Sequence, residues 1–223
     1  MNIFDIMGPV MVGPSSSHTA GASYIGFITR LVLKQMPSRV VIKFHGSFAQ
    51  TYKGHGSDKA VIGGLLGYKP DDARIRTSLK DAAAVGMSYS FQPVDIPGAH
   101  PNTIMIEADT VEGTHTCVVG VSIGGGNVII KSLDDIDIEY TGSRDTMVVE
   151  QLDVPGVINS ITGLLAAEGV NIANMRVFQS KKEPGKAVTI IETDGTLCKE
   201  LALSAQNLEN IITSIYLPKI SGK

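Results

Sequence analysis

Residues 13–21 read Gly13-Pro14-Ser15-Ser16-Ser17-His18-Thr19-Ala20-Gly21, and they separate an apolar approach, Ile6–Val12, from a long run with helical periodicity. This stretch therefore marks the start of the first helix. Ser and Thr are favoured helix caps, and the free N–H groups at the positive dipole end of a first helical turn form a natural anion site. The stretch is either an ordinary capped helix start or a site for a carboxylate or phosphate, and composition alone leaves both interpretations open.

Hydrophobic spacing predicts the elements that follow. Apolar residues at steps of three and four predict a helix over Ala20–Met36, ended by the proline that comes next. A dense apolar run then predicts a strand over Arg39–Ala49 with both faces buried. A second helix is predicted over Ala60–Leu66, with Ser57 or Asp58 as its cap.

His55 lies between Gly54 and Gly56 in the segment that joins this strand and helix. Glycines on both sides allow a sharp turn that would carry the imidazole into a cleft. A loop histidine can equally be an ordinary solvated side chain, so spacing alone leaves the role of His55 open.

The rest of the first half is predicted to be mostly strands. The elements are helix 78–85, strand 86–91, strand 104–108, and a hairpin of strands 115–123 and 128–133 around the turn Gly124-Gly125-Gly126-Asn127.

A polar, acidic segment, residues 133–146, separates the two halves of the chain. Its composition suits a linker, although Ile136 and Ile138 could form a short edge strand. We place a domain boundary close to Ser143, which gives domains of residues 1–143 and 144–223.

The second half has a compact pattern of alternating elements. They are strand 147–152, helix 157–168, strand 170–179, strand 187–192, helix 197–208 and strand 211–217. The order βαββαβ predicts a ferredoxin-like fold.

Charge and composition exclude several functions. The net charge is −3 with no basic run, which gives a nucleic-acid partner no electrostatic support. The amino end lacks the features of a signal peptide, and no apolar run reaches membrane-spanning length, so we expect a cytoplasmic protein without a membrane partner. Cys117 and Cys198 form no C-x-x-C motif, and no H-E-x-x-H motif occurs, so we expect no metal or cluster ligands in this chain.

Three motifs in the first half resemble the iron-sulfur-dependent bacterial L-serine dehydratases. GPSSSHT, residues 13–19, resembles the substrate loop near the amino end of that family. GHGSD, residues 54–58, resembles a GH-x-[ST]-D stretch that follows the family's first strand. SIGGG, residues 122–126, also occurs before a strand in that family.

The second half resembles the ACT domain, a small ligand-sensing module that usually pairs edge to edge. Two motifs carry this resemblance: D-x-P-G-V-I at 153–158 and G-V-N-I-A-N-M at 169–175. It implies self-association and an effector loop containing Asp153, Gly156 and Asn174. The fold class expected is α+β, with an N-terminal α/β domain of the serine dehydratase β type followed by a ferredoxin-like ACT domain.

Taken together, the motifs resemble the β chain of the two-chain form of L-serine dehydratase. In that family the cysteines that hold a 4Fe-4S cluster belong to a separate α chain, and an open iron acts as a Lewis acid on the serine hydroxyl. The resemblance implies that this chain deaminates L-serine to pyruvate and ammonia together with an α-chain partner.

The residue types in these motifs fit the reaction. His55 is the candidate base, because a neutral imidazole near pH 7 suits proton abstraction. His18 would share substrate binding or orient the hydroxyls, and the two histidines could exchange roles. Asn102 would contact the substrate amine or carboxylate. Hydroxyl residues at the helix start would hold the carboxylate: Ser15, Ser16, Ser17 and Thr19.

Two other functions stay open. The first half also resembles the allosteric substrate-binding domain of some phosphoglycerate dehydrogenases, which implies a non-catalytic allosteric module. The presence of both SSSHT and His55 favours catalysis over that role. The chain could instead be a free-standing amino-acid sensor, which would bind serine without a partner.

Overall fold

The computed structural model describes residues 10–134, 136–180 and 183–220, so Ile6 in the apolar approach lies outside the described residues. The chain divides into two compact units between Thr141 and Gly142. Within the described ranges, no helix is long and apolar enough to cross a membrane.

Unit 1 is built on one mixed sheet. Its strands are β1 (Arg39–His45), β2 (Ser88–Val94), β3 (Thr103–Asp109), β4 (His115–Gly124), β5 (Asn127–Leu133) and β6 (Ile136–Tyr140). The sheet order is β2-β1-β3-β4-β5-β6. β1 and β2 are parallel, and the other neighbours are antiparallel.

Four α-helices accompany this sheet. They are α1 (Gly21–Leu33), α2 (Gly46–Thr51), α3 (Ser57–Leu65) and α4 (Ser78–Ala84). A π-helical turn, Ser16–Ala20, leads into α1, and a 3₁₀ turn, Ala73–Thr77, precedes α4.

Glycines let α1 pack closely against α3 and against the sheet. A Cβ on Gly26 would overlap the carbonyl of Val61, and one on Gly64 would overlap the carbonyl of Ser23, so the two helix backbones touch. A Cβ on Gly120 of β4 would come within 2.7 Å of the Ile25 side chain. The first half of α1 is therefore packed directly against α3 and against β4.

Two predicted boundaries in unit 1 are wrong. α1 ends at Leu33 rather than at residue 36, because Lys34 adopts a left-handed conformation with φ 62°. β1 ends at His45, and the residues predicted to continue the strand form the start of α2. Gly46, with φ 56°, makes this turn possible. The faces of β1 alternate between buried and half-buried residues, so the strand is not buried on both sides.

Of the two interpretations left open for residues 133–146, the structure confirms the short edge strand, because Ile136 and Ile138 lie in β6 at the edge of the sheet. The predicted strand 86–91 is shifted to β2, where Pro93 is tolerated because β2 lies at the other edge of the sheet. The predicted hairpin is confirmed as β4 and β5.

Unit 2 has the predicted βαββαβ order. Its elements are β7 (Thr146–Leu152), α5 (Val157–Ala167), β8 (Asn171–Gln179), β9 (Lys186–Asp194), α6 (Lys199–Ser204) and β10 (Ile211–Leu217). The antiparallel sheet has the order β10-β7-β9-β8, and α5 and α6 supply buried residues to its core. The last helix is shorter than predicted, because it ends in a 3₁₀ turn, Ala205–Asn207.

Candidate active site

The hydroxyl turn, residues 15–20, is a capped helical turn, which is one of the two interpretations that its sequence left open. Ser15 is extended, and its Oγ accepts a hydrogen bond from the His18 backbone N–H at 3.1 Å. Gly13 has φ 146°, and a Cβ there would lie only 2.4 Å from the Thr19 side chain, which is too close for normal packing. Glycine is therefore required where the chain enters this turn.

His18 is held on both ring nitrogens. Its Nε2 lies 2.7 Å from Ser47 Oγ, and its Nδ1 lies 3.4 Å from Ser15 Oγ. Its ring centroid is 4.8 Å from that of Phe48 and 4.8 Å from that of His55. Burial, and secondly the nearby His55, lower the pKa of His18 below its usual value. His18 is therefore a fixed, neutral imidazole near pH 7.

Ser47 is a site residue that the sequence analysis missed. The strand predicted over Arg39–Ala49 includes Ser47, but in the structure Ser47 lies in the first turn of α2. Its backbone N–H donates to the Pro101 carbonyl at 2.8 Å, and a Cβ on Gly46 would lie 2.5 Å from that same oxygen. A glycine inside a predicted strand often indicates a close backbone approach, and Gly46 is the signal that could have revealed this turn.

The histidine turn, residues 53–57, faces the hydroxyl turn. Thr19 Oγ1 donates to the His55 carbonyl at 3.0 Å, and Ser57 Oγ donates to the His18 carbonyl at 2.8 Å. These two bonds join the turns and bring the two histidine rings together. Ser57 is thus not the predicted cap of α3, whose N-cap is Gly56, with φ 67°.

His55 differs from His18 in its hydrogen bonding. Its Nδ1 is buried and has no hydrogen-bond partner in the part of the chain that the structure describes. Buried polar atoms in folded proteins are nearly always paired, so the unpaired Nδ1 sets His55 apart from His18.

Asn102 and the SIGGG motif approach the hydroxyl turn through Ser122. The Ser122 backbone N–H donates to the Asn102 carbonyl at 2.9 Å, and its Oγ donates to the Ser17 carbonyl at 2.8 Å. A Cβ on Gly124 would lie 3.8 Å from Ser17 Oγ. The structure thus gathers Asn102, Ser17 and the start of the glycine-rich turn at one place, and Ser122 is a second residue that the sequence analysis missed.

The residues predicted for the effector loop lie in unit 2. Asp153 accepts a hydrogen bond from Gln179 Nε2 at 2.7 Å, and Gly156, with φ 94°, is the N-cap of α5. Asn174 Nδ2 donates to Glu192 at 3.1 Å. Asn174 precedes Gln179 by five residues of β8, so it lies about 16 Å along the strand from the residue that Asp153 contacts.

The described residues do not fit a 4Fe-4S cluster. Cys117 and Cys198 are in no disulfide and lie in different units. The described ranges contain no group of three or more His, Cys, Asp and Glu side chains that could hold a metal ion.

Known proteins match the chain along nearly its full length. The family model described as serine dehydratase beta chain matches residues 2–91, and the ACT domain model matches residues 146–197. The chain is 39% identical to the probable L-serine dehydratase, beta chain, of Bacillus subtilis, with 95% of both chains covered. It is 37% identical to the L-serine dehydratase, beta chain, of Peptoniphilus asaccharolyticus, with 96% of both covered. L-serine dehydratase 2 of Escherichia coli is 29% identical over 82% of this chain and 45% of its own length.

The chain thus has a domain of the serine dehydratase beta chain type followed by an ACT domain. The protein belongs to the serine dehydratase beta chain family. The family resemblance and the α+β fold class predicted from the sequence are therefore confirmed.

Proposed function

We propose that this chain is the β chain of an L-serine ammonia-lyase, which deaminates L-serine to pyruvate and ammonia together with an α chain. The observation that carries the proposal is the pairing of His18 and His55, with ring centroids 4.8 Å apart, on the two turns whose sequences carry the family resemblance. The beta-chain names of the Bacillus and Peptoniphilus relatives support it.

The reaction needs a base at the α-carbon of serine. Removal of the α-proton and departure of the β-hydroxyl release the elements of water and leave aminoacrylate, and hydrolysis of the imine tautomer gives pyruvate and ammonia. We assign the base to His55, because its Nδ1 has no partner among the described residues whereas both nitrogens of His18 contact hydroxyls. His18 then acts by positioning the two turns and the substrate.

The substrate carboxylate is assigned to the hydroxyl turn. Ser15 and Thr19 already use their hydroxyls to cap the turn and to bind the His55 carbonyl. The hydroxyls of Ser16 and Ser17 make no hydrogen bond within the described ranges, so these two side chains are the better carboxylate ligands. Asn102 lies beside Ser17 through Ser122 and is assigned to the amine or carboxylate.

The 4Fe-4S cluster is assigned to the α chain. The described residues of this chain supply no suitable group of ligands, and its two cysteines are in different units. We keep the expectation of a cytoplasmic enzyme that has neither a nucleic-acid nor a membrane partner.

The ACT unit is assigned to self-association and ligand sensing through Asp153, Gly156 and Asn174. β8 is an edge strand and exposes Met175 and Val177, which are 36% and 44% accessible. Exposed apolar edge strands are commonly paired in natural proteins. We expect Val177→Glu to lower the mass measured by light scattering, whereas Ile212→Glu on the opposite edge strand serves as the matched control. An equal loss in both variants would overturn the assignment to β8, and a loss in Ile212→Glu alone would assign the association to β10.

Anaerobic co-purification tests the assembly directly. A tagged form of this chain is produced with and without an L-serine dehydratase α chain. We expect a colourless preparation of this chain alone and a brown complex when both are present. A brown preparation of this chain alone would overturn the assignment of the cluster to the partner.

A further inference from the structure

His45 is the last residue of β1 and lies next to the turn that positions His18. Its side chain is 12% exposed. The Ile96 backbone N–H donates to His45 Nδ1 at 3.1 Å, a bond that requires this nitrogen to carry no proton. Asp95 Oδ1 lies 3.5 Å from the same Nδ1. One ring nitrogen thus faces a donor and a carboxylate that belong to neighbouring residues.

These two partners of His45 exclude each other. The ring accepts from Ile96 only while Nδ1 is unprotonated, whereas a bond to the Asp95 carboxylate requires a proton on Nδ1. Protonation makes both ring nitrogens donors, so it breaks the bond to Ile96 and favours the bond to Asp95. The Asp95 side chain is 92% exposed, so little packing opposes the small rotation that the new bond needs.

The other charged groups near His45 are engaged elsewhere. Lys43, which shares a face of β1 with His45, pairs with Glu107 at 2.5 Å. His100 Nδ1, on the loop that follows β2, accepts from the Asn102 N–H at 3.1 Å. In the part of the chain that the structure describes, Asp95 is the one carboxylate that pairs with His45.

Residues 95–101, the brace loop, are fixed to the start of α2 at two points. The Ile96 N–H bonds to the histidine ring, and the Pro101 carbonyl accepts from the Ser47 N–H at 2.8 Å. Between these points the Ala99 N–H donates to the Ile96 carbonyl at 3.1 Å, which closes a tight turn. The segment that begins α2 therefore holds the brace loop near both of its ends.

The brace loop adjoins two residues of the candidate active site. Ser47 Oγ lies 2.7 Å from His18 Nε2, and Asn102, the predicted substrate ligand, directly follows the loop. A Cβ on Gly46 would lie 2.5 Å from the Pro101 carbonyl, so the loop packs tightly against this turn. Release of the loop at its other end therefore loosens the supports of His18 and Asn102 together.

We propose that His45 is a positioning residue that makes the candidate active site sensitive to pH. Neutral His45 holds the Ile96 N–H and keeps the brace loop in place. A proton taken up from solvent moves the Nδ1 bond from Ile96 to Asp95 and releases the loop, so turnover falls as His45 becomes protonated. The exchange of bond partners does not depend on the reaction, whereas the effect on turnover rests on the proposed function.

The exchange of partners is tested on the purified full chain without its α chain. Amide and histidine ring resonances are followed by nuclear magnetic resonance between about pH 5 and 8, where an imidazole changes its charge. We expect the Ile96 amide to shift with the same midpoint as the His45 ring. His45→Asn should abolish this shift, because the asparagine amide oxygen accepts a hydrogen bond at every pH.

Two further variants sharpen this test. Asp95→Asn removes the acceptor of the protonated ring, so the exchange should require a lower pH. His115→Asn is the matched control, because His115 also pairs with a carboxylate, that of Asp109, and should leave the Ile96 titration unchanged. An Ile96 amide that does not follow the His45 ring, or that titrates equally in His45→Asn, would overturn the exchange.

The effect on turnover is tested by kcat and KM for serine in the complex with the α chain. His45→Leu has no acceptor and should lower kcat about ten-fold at about pH 8. His45→Asn should stay within about two-fold of the wild type there and be about three-fold more active than it at about pH 6, because protonation of His55 affects both proteins equally.

Equal losses at about pH 8 in His45→Leu and His45→Asn would contradict the positioning role of the acceptor. Identical pH profiles of kcat in the wild type and His45→Asn would overturn the link to turnover, while the shift of the Ile96 amide decides the exchange of partners separately.

Discussion

Two polar clusters of this molecule, one in each unit, differ in how completely their hydrogen bonds are satisfied. In unit 2 the carboxylate of Asp145 accepts from Tyr216 Oη at 2.9 Å, from the Lys219 N–H at 2.8 Å and from the Leu197 N–H at 3.2 Å. In unit 1 the cluster around the two histidines leaves His55 Nδ1 buried and unpaired among the described residues.

The difference indicates what each cluster is for. Asp145 ties the segment after β10 and the approach to α6 to the start of β7, so its bonds stabilise the fold. Burial, followed by the bond to Asp145, raises the pKa of Tyr216 to about 12, and the phenol stays a donor at neutral pH. The histidine cluster leaves one buried nitrogen unpaired among the described residues, which suits the role in binding and proton transfer that we propose for it.

The largest effect is expected from His55→Ala in the reconstituted enzyme. Removing a positioned base lowers turnover by about a hundred- to ten-thousand-fold, while serine should still bind. Steady-state kinetics of pyruvate formation measures both the turnover and the KM for serine. His115→Ala is the matched control, because His115 lies at the opposite end of β4 and pairs with Asp109. Near-normal turnover in His55→Ala with collapse in His18→Ala would transfer the base to His18.

Asp145→Ala should destabilise unit 2 and so test the other half of the comparison. Loss of the carboxylate leaves Tyr216 and two backbone N–H groups without their acceptor, which we expect to lower the free energy of unfolding by about 2 kcal/mol. Urea denaturation of the full chain, followed by circular dichroism, measures this change. Asp153→Ala removes an exposed carboxylate with a single side-chain bond, to Gln179, and should cost less than about 0.5 kcal/mol. Equal losses would refute the structural role of Asp145.

Ser47→Ala should have a smaller effect on turnover, of about ten-fold, because it frees His18 Nε2 without removing either histidine. Ser47→Thr keeps the hydroxyl and should restore most of the activity. If both variants lose the same activity, the hydroxyl is not what positions His18.

The smallest effect expected is on the titration of His18. Its pKa lies below the usual 6.5, so its resonances should titrate at lower pH than those of an exposed histidine, and His55→Gln should move the titration upward by removing the weaker of the two causes. The folded chain binds this proton less readily than the unfolded chain, so its contribution to stability is present above about pH 6.5 and is lost as the pH falls through the folded pKa. A titration at or above the usual value would contradict the burial of His18.

Local patterns in the sequence predicted most of the fold. The βαββαβ order follows from element spacing, and the β4–β5 hairpin follows from its glycine-rich turn. The strand predicted over Arg39–Ala49 is correct only as far as His45, because apolar residues such as Phe48 and Ala49 serve equally well in a helix and only Gly46 indicates the change. The sequence did not decide between a linker and an edge strand at β6, because the exposed residues of this strand are acidic and suit either structure.

The candidate site was predicted only in part, for a physical reason. Ser15 as a cap and the two histidines follow from local motifs, but Ser47 and Ser122 reach the site through contacts between residues far apart in the chain. The cavity beside the histidine turn is likewise lined by residues far apart in the chain. It combines Lys53 and Lys59 with Arg76, which lies in the 3₁₀ turn before α4. Such pairings depend on how the helices pack, and spacing along a single sequence does not contain that information.

The rate of pyruvate formation from L-serine, measured anaerobically for three preparations, tests the central claim most directly. The preparations are this chain alone, the α chain alone with its cluster, and the two together. If this chain supplies half of the active site, only the combined preparation should turn over serine at an appreciable rate. Full activity of the α chain alone, or of this chain alone, would contradict the claim.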